Sequence, residues 1–242
     1  MAKPNLLTER IVYKPFEYPK AADYWLKQNQ AHWIHTEVPM MSDINDWKQN
    51  LTKTEKNIIG SILKGFAQTE TVVNDYWTGL VTKWFRKPEI IAMATVFGAM
   101  ETIHAEAYSL LNEELGLDDF SEFLEDEATM AKIEALTDNA ASFGDEVNWH
   151  ERAKSLAIFS AFTEGVNLFS SFAVLLSFKL RNKLTPSVNA ENTANDFALS
   201  CQLGVPSCES LTAVNASILA IVASSSKNSL KSSKPNSSFN KE

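Results

Sequence analysis

The sequence predicts an all-α fold, a bundle of long helices joined by short connections. Apolar residues recur at steps of three and four over long stretches, and helix-start and helix-stop signals bracket these stretches. No part of this region alternates with the period of two that is typical of a β-strand. With 242 residues and 45% hydrophobic content, the chain is long enough for one large domain with a sizeable core.

The first segment, residues 1–51, is interpreted as an irregular N-terminal arm. Four prolines interrupt it, and proline interrupts regular secondary structure. One short helix is expected in the arm, near Ala21–Gln30.

The bundle itself is expected in residues 52–184. Its first helix begins with a capping box, Thr52-Lys-Thr-Glu55, and continues to about Trp84. The second helix begins near Pro88, because proline suits a first helical turn, and it runs to Leu115 and stops at Gly116. The two further helices are expected at Ser121–Asn139 and Glu146–Lys183.

The composition changes abruptly after Leu184. Residues 185–242 contain 13 Ser and 7 Asn and no Trp, Tyr, His, Arg or Met. Such a segment buries too little apolar surface to offset its ordering entropy. We therefore expect a largely irregular, low-complexity tail with one short apolar run, Leu211–Ala223.

Charge and cysteine content exclude several classes of protein. The net charge of -8 gives no basic surface for a nucleic acid. The N-terminus lacks a signal peptide, and the longest apolar stretch, Leu168 to Phe178, is too short to span a membrane. Cys201 and Cys208 form neither a disulfide framework nor a zinc motif. We expect a cytoplasmic protein that binds neither nucleic acid nor membrane.

A Glu-x-x-His motif marks the second helix. Helical spacing places Glu101, His104 and Tyr108 on one stripe with Phe97 and other apolar residues. A buried carboxylate is costly unless it is paired, and Glu and His three residues apart can ligate one metal ion. The tetrapeptide Glu-x-x-His alone also occurs by chance. In that case Glu101 and His104 would be an ordinary surface pair, or a core pair whose polar groups have hydrogen-bond partners.

Two further carboxylates strengthen the case for a metal. Glu70 falls within the apolar face of the first helix, and Glu164 falls within that of the fourth. Three carboxylates and one imidazole favour iron or manganese over zinc. The apolar residues that define these two faces are Ile59, Ile62, Leu63, Phe66, Val73 and Trp77 on the first helix, and Ala157, Ala161, Leu168, Phe172 and Leu175 on the fourth.

Tyr108 follows His104 by one turn and has two interpretations. It is either a core tyrosine with a hydrogen-bonded hydroxyl, or a phenol close enough to an oxidised metal cluster to lose one electron and one proton.

The segment Met100-Glu101-Thr-Ile-His104-Ala-Glu-Ala-Tyr108 resembles the signature of class I ribonucleotide reductase small subunits, a ferritin-like di-metal carboxylate family. The resemblance implies that Glu101 and His104 are metal ligands and that Tyr108 holds a stable radical. Glu70 stands where the family has its first carboxylate ligand. That ligand is usually Asp, and Glu is found in some manganese/iron members.

The resemblance extends to the fourth helix and the arm. Glu164 matches the ligand that opens the second half of the metal site, and Phe172 matches an apolar residue that shields the radical. Trp33, in Trp33-Ile-His-Thr-Glu37-Val, matches the tryptophan that relays electrons toward the cluster. The alternative for Trp33 is a packing anchor under the arm.

The resemblance, which covers residues 20–184, implies a function and an incomplete site. Two iron ions, or one iron and one manganese, would react with oxygen to form the radical. A homodimer would pass the oxidising equivalent to a large subunit that reduces ribonucleoside diphosphates. The sequence has no His after His150, so the family's second Glu-x-x-His is absent. We interpret the bundle as interrupted after Leu184 by a coding change. The alternatives are another ferritin-like di-metal oxidase and a non-catalytic fragment.

Overall fold

A computed structural model describes residues 5–38, 43–141 and 149–184. These ranges are helical and contain no strand, which confirms the predicted fold class. The predicted tail, residues 185–242, lies outside the described residues. The helices are α1 Pro19–Gln30, α2 Ile44–Gln49, α3 Lys53–Asp75, α4 Thr82–Trp84, α5 Pro88–Glu114, α6 Ser121–Glu125, α7 Glu127–Ala141, α8 Trp149–Ile158 and α9 Phe169–Lys179.

The capping box at the start of α3 is confirmed. The Thr52 hydroxyl accepts a hydrogen bond from the Glu55 N–H, and the Glu55 carboxylate accepts one from the Thr52 N–H. α3 then passes directly into a π-helical segment, Tyr76–Val81, and into α4. The expected helix from Thr52 to about Trp84 is therefore present, with one wider section near its end.

α3 and α5 form an antiparallel helical hairpin. Near the start of α3, Ile59 packs in one cluster with Leu115, the residue that follows α5. Near the other end, the Trp77 ring lies edge-on to Phe97, with ring centroids 5.3 Å apart. Gly116 ends α5 with φ +70°, a conformation that favours glycine. This hairpin positions the predicted site residues of both helices opposite one another.

The third predicted helix is divided into two. α6 ends at Glu125, and the Asp126 backbone is extended. The Asp126 carboxylate then accepts a hydrogen bond from the Thr129 N–H at 2.7 Å, as an N-cap does. The prediction of one helix over Ser121–Asn139 is wrong at this position because the aspartate starts a new helix.

The fourth predicted helix contains a long π-helical segment, Phe159–Leu168, between α8 and α9. A π turn holds more residues than an α turn, so it changes which residues face the core. Ala161, predicted on the buried face, is exposed, and Thr163 is buried instead. Leu168 and Phe172 are buried as predicted.

The arm is more ordered than predicted. It contains a 3₁₀ turn, His35–Glu37, and the short helix α2, in addition to the expected α1. Trp47 of α2 is buried with Leu51 and Ile59. A helix of six residues is too short to show a hydrophobic period, so α2 could not be predicted from the sequence.

One helical stretch in the described ranges, Trp149–Phe178, is long and apolar enough to cross a membrane by length and composition, and 27% of its most apolar window is buried. The core helix of a soluble bundle passes the same test. Phe162 and Val166 are among its exposed residues. The expectation of no membrane span rests on the shorter stretch Leu168–Phe178. It stays a prediction.

Candidate metal centre

Two buried carboxylates and one imidazole meet between α3 and α5. Glu70 lies on α3, and Glu101 and His104 lie on α5. Each residue offers one ligand atom, and these three atoms lie within 4.8 Å of one another. The exposed fractions of the residues are 2%, 6% and 9%. This spacing allows one metal ion to contact all three donors.

Helical spacing explains why these polar groups are buried. Glu70 lies one turn after Phe66 and one turn before Val73, and both neighbours are buried. Glu101 lies one turn after buried Phe97. Side chains three or four residues apart share a helix face, so burial of the apolar neighbours carries the carboxylates inside.

The donors fit a divalent cation. His104 Nδ1 lies 2.9 Å from Glu101 Oε2. His104 Nε2 is buried and has no hydrogen-bond partner among the described residues, an arrangement that costs free energy. A bound cation would compensate the charge of the two buried carboxylates. Carboxylate oxygen and imidazole nitrogen are ligands that iron and manganese accept.

Tyr108 is half-buried and lies one turn beyond His104 in a group of aromatic rings. Its ring centroid is 4.9 Å from that of Phe66 and 6.5 Å from that of Phe172. Phe66 also stacks on Phe172, with centroids 4.3 Å apart. The predicted contact between Tyr108 and Phe172 is present. Phe66 was predicted only as part of an apolar face, although its position one turn before Glu70 indicates that it lies beside the site.

Trp33 places the arm directly against the site. The indole is buried and packs with Met100 and Ala107 of α5. Its ring stacks on that of His104, with centroids 5.9 Å apart and planes 29° apart. The arm therefore supplies an oxidisable side chain in contact with one of the three converging donors.

Glu164, the fourth predicted ligand, belongs to the π-helical segment Phe159–Leu168. Its side chain lies outside the described part of the structure, so its role stays a prediction. The neighbouring residues Thr163 and Leu168 are buried, and Leu168 packs with Phe66. A π-helical turn is frequent at functional sites.

Comparison with known proteins decides the family. The family model described as "Ribonucleotide reductase, small chain" matches residues 10–217. This chain belongs to the ribonucleotide reductase small-chain family. The match confirms the predicted family and continues beyond Leu184, where the resemblance noted in the sequence ended. A relative, the probable ribonucleoside-diphosphate reductase small subunit of Invertebrate iridescent virus 6, is 36% identical over 188 residues.

The alignment with the viral small subunit covers 73% of this chain and 52% of the relative. The chain spans about half the length of the curated relatives it matches. The range that the family model matches includes Glu70, Glu101 and His104.

Solved structures of ribonucleotide reductase small chains and related proteins share the fold. The R2 subunit of Clostridium botulinum superposes with a TM-score of 0.64 at 19% identity, over 73% of this chain and 58% of that one. An R2-like ligand-binding oxidase with a Mn/Fe cofactor gives a TM-score of 0.60 at 17% identity, over 76% and 69%. These similarities confirm the ferritin-like bundle that the sequence predicts.

Proposed function

We propose that this small chain provides metal ligands and the radical residue of a class I ribonucleotide reductase. Glu70, Glu101, His104 and Glu164 would hold two iron ions or a manganese/iron pair. The observation that carries the proposal is the convergence of three buried donors in a chain of this family. The Mn/Fe cofactor of a protein with the same fold supports this choice of metals.

The bound metals would supply the oxidising power obtained from oxygen, and the protein would supply the residue that is oxidised. Oxidation of the Tyr108 phenol to a neutral radical removes one electron and one proton. Phe66 and Phe172 pack on this ring and shield it from water and reductants. Apolar shielding of this kind prolongs the life of a radical.

Trp33 is proposed to carry electrons between the site and the partner protein. Its indole stacks on the His104 ring, and it belongs to the arm rather than to the bundle. The partner would be the large subunit, which reduces ribonucleoside diphosphates to deoxyribonucleotides for DNA synthesis. A homodimer of the small subunit and a cytoplasmic location belong to the same proposal.

The relatives favour this function over that of another di-metal oxidase. The viral ribonucleotide reductase small subunit is 36% identical to this chain, whereas the ligand-binding oxidase is 17% identical and shares the fold alone. The proposal concerns the whole small subunit, because the second Glu-x-x-His of the family does not occur in these 242 residues.

A chimera tests the proposal. Residues 1–184 would be joined to the C-terminal half of the viral relative, which supplies the second half of the metal site. After addition of iron and oxygen, we expect a tyrosyl radical in the electron paramagnetic resonance spectrum. Tyr108→Phe should abolish the signal and leave the iron content unchanged.

Two results of the chimera experiment would count against the radical role. A radical that persists in Tyr108→Phe would place it on another residue. Loss of iron together with the radical would show that Tyr108 supports the structure of the metal site instead. The unmodified viral protein serves as the control for the assay, and circular dichroism checks that each chimera is helical.

A further inference from the structure

The arm is attached to the start of α5 by an ionic cluster, here called the arm clamp: Arg10, Glu17, Lys87 and Glu89. Lys87 and Glu89 are buried, and Arg10 and Glu17 are partly exposed. Glu89 is 1% exposed. Its Oε1 accepts hydrogen bonds from the backbone N–H groups of Glu17, at 2.8 Å, and of Tyr18, at 3.0 Å. Its Oε2 accepts a hydrogen bond from the Arg10 guanidinium.

The other members of the arm clamp add contacts between the same two segments. Lys87 Nζ lies 2.8 Å from Glu17 Oε2, and the Lys87 residue is 2% exposed. The Arg10 N–H donates to the Arg86 carbonyl at 3.1 Å. Two carboxylates and two cationic groups balance one another, so each buried charge, on Lys87 and on Glu89, has an oppositely charged partner.

Glu89 also caps α1. The N–H groups of Glu17 and Tyr18 come immediately before Pro19, the first residue of α1. A carboxylate near this end of a helix interacts favourably with the helix dipole. The start of α1 is therefore held at the first turn of α5, and α1 packs along α5 from there.

The two helices run side by side from the clamp to the metal centre. From Glu89 to His104 is fifteen residues of α5, or about 22 Å at the rise of an α-helix. α1 covers about 18 Å of this distance with its twelve residues, and three further residues reach Trp33. The position of the Trp33 ring over His104 therefore depends on where α1 begins.

We propose that Glu89 is a positioning residue for Trp33: it sets the register of α1 along α5 and so places the indole over His104. The electron-relay role of Trp33 rests on the proposed function, but the placement itself does not. No member of the arm clamp belongs to the metal centre, so its effect on Trp33 is transmitted through α1.

The test is fluorine nuclear magnetic resonance of the full 242-residue chain labelled with 5-fluorotryptophan. The chain has six tryptophans, and the resonances of Trp33 and Trp47 are assigned with Trp33→Phe and Trp47→Phe. In Glu89→Ala we expect the Trp33 resonance to move toward the position of a solvent-exposed tryptophan. The Trp47 resonance should stay in place, because Trp47 packs with Ile59 and Leu115 at the other end of the α3–α5 hairpin.

A matched control is Glu9→Ala. Glu9 lies on the same arm and pairs with Arg86, with 3.6 Å between its Oε1 and the Arg86 Nε, but its side chain is exposed. This substitution should leave both resonances unchanged. Glu89→Gln, which keeps an acceptor for the two N–H groups and loses the charge, should shift the Trp33 resonance less than Glu89→Ala does.

Two outcomes would overturn the proposal. The Trp33 resonance could remain unchanged in Glu89→Ala, or the resonances of Trp33 and Trp47 could change together, which would make Glu89 a residue of general stability. Added Mn²⁺ separates this proposal from the proposed function. If Mn²⁺ fails to broaden the Trp33 resonance of the unsubstituted chain, the metal site is contradicted, while the comparison without metal still decides the role of Glu89.

Discussion

Glu70 shows at the scale of one residue why the candidate metal centre could be found from the sequence. It is a carboxylate between Phe66 and Val73 on a buried helix face, and it is 2% exposed. Burying a carboxylate is unfavourable unless an ion or hydrogen bonds compensate its charge. Glu101 and His104 stand out in the same way on α5, so helical spacing marked all three as candidate ligands.

Arg10 and Glu89 show which residues the sequence could not single out. They are 79 residues apart in the chain, and neither belongs to a motif or an apolar stripe. Their pairing depends on the packing of the arm along α5. A period or a spacing within one helix carries no information about such a contact.

Gly98 supports the close approach of α5 to the π-helical segment after α3. A Cβ at this position would overlap with the Cγ2 of Thr78, and the Gly98 carbonyl accepts a hydrogen bond from Asn74 Nδ2 at 2.5 Å. Gly98→Ala should therefore destabilise the fold by about 1–3 kcal/mol, as overpacking does. Urea unfolding followed by circular dichroism measures the effect.

Gly65→Ala is the matched control for Gly98→Ala. Gly65 is also inside a helix, but the nearest atom to its added Cβ is Phe123 Cζ at 3.9 Å, an ordinary contact distance. Alanine there should stabilise the chain by about 0.5–1 kcal/mol. Equal effects of the two substitutions would show that Gly98 is not required for close packing.

At the scale of helices, the sequence predicted well where a helix begins and less well which face it buries. The capping box at Thr52 and the stop at Gly116 depend on a few adjacent residues. The π-helical segments Tyr76–Val81 and Phe159–Leu168 depend on packing between helices. A regular period of 3.6 residues does not hold across them, which is why the prediction for Ala161 was wrong.

An ion pair joins the beginning of α3 to the residues after α9. Lys183 Nζ lies 2.7 and 2.8 Å from the two Glu55 carboxylate oxygens. The hydrogen bond from Lys183, followed by those from Thr52, lowers the pKa of Glu55 from 4.5 to about 2. A lowered carboxyl pKa stabilises the fold above the unfolded-state pKa, and this contribution is lost as the pH falls through the folded-state pKa.

Lys183→Met should therefore reduce the free energy of unfolding at neutral pH. The difference from the unsubstituted chain should shrink between about pH 4.5 and pH 2, because Glu55 becomes protonated in both proteins. Urea unfolding at neutral pH and near pH 3 measures it. Lys154→Met, which removes a surface pair within α8, should have a smaller effect. A difference that stays constant over this pH range would contradict the role of Glu55.

At the scale of the whole molecule, the sequence predicted an all-α, ferritin-like bundle of the ribonucleotide reductase small-chain family, and both predictions are confirmed. This succeeded because the family motif lies on one continuous helix, α5. The structure after Leu184 could not be predicted from a motif or a helical period, since this part of the chain has no long hydrophobic period and no histidine. Its predicted irregular structure lies outside the described residues.

Binding of Mn²⁺ to the 242-residue chain, followed by the electron paramagnetic resonance signal of the free ion, tests most directly whether the three converging donors form a metal site. We expect saturable binding of fewer than two ions per chain, because the second Glu-x-x-His does not occur in this sequence. Loss of residues that only support a ligand weakens metal affinity ~10–100-fold, so His104→Ala should weaken it at least about tenfold. His150→Ala, at an exposed position on α8, should not.

Equal affinity in His104→Ala and the unsubstituted chain would contradict the metal centre, as would the absence of binding in the unsubstituted chain. Two tightly bound ions per chain would contradict the incomplete ligand set.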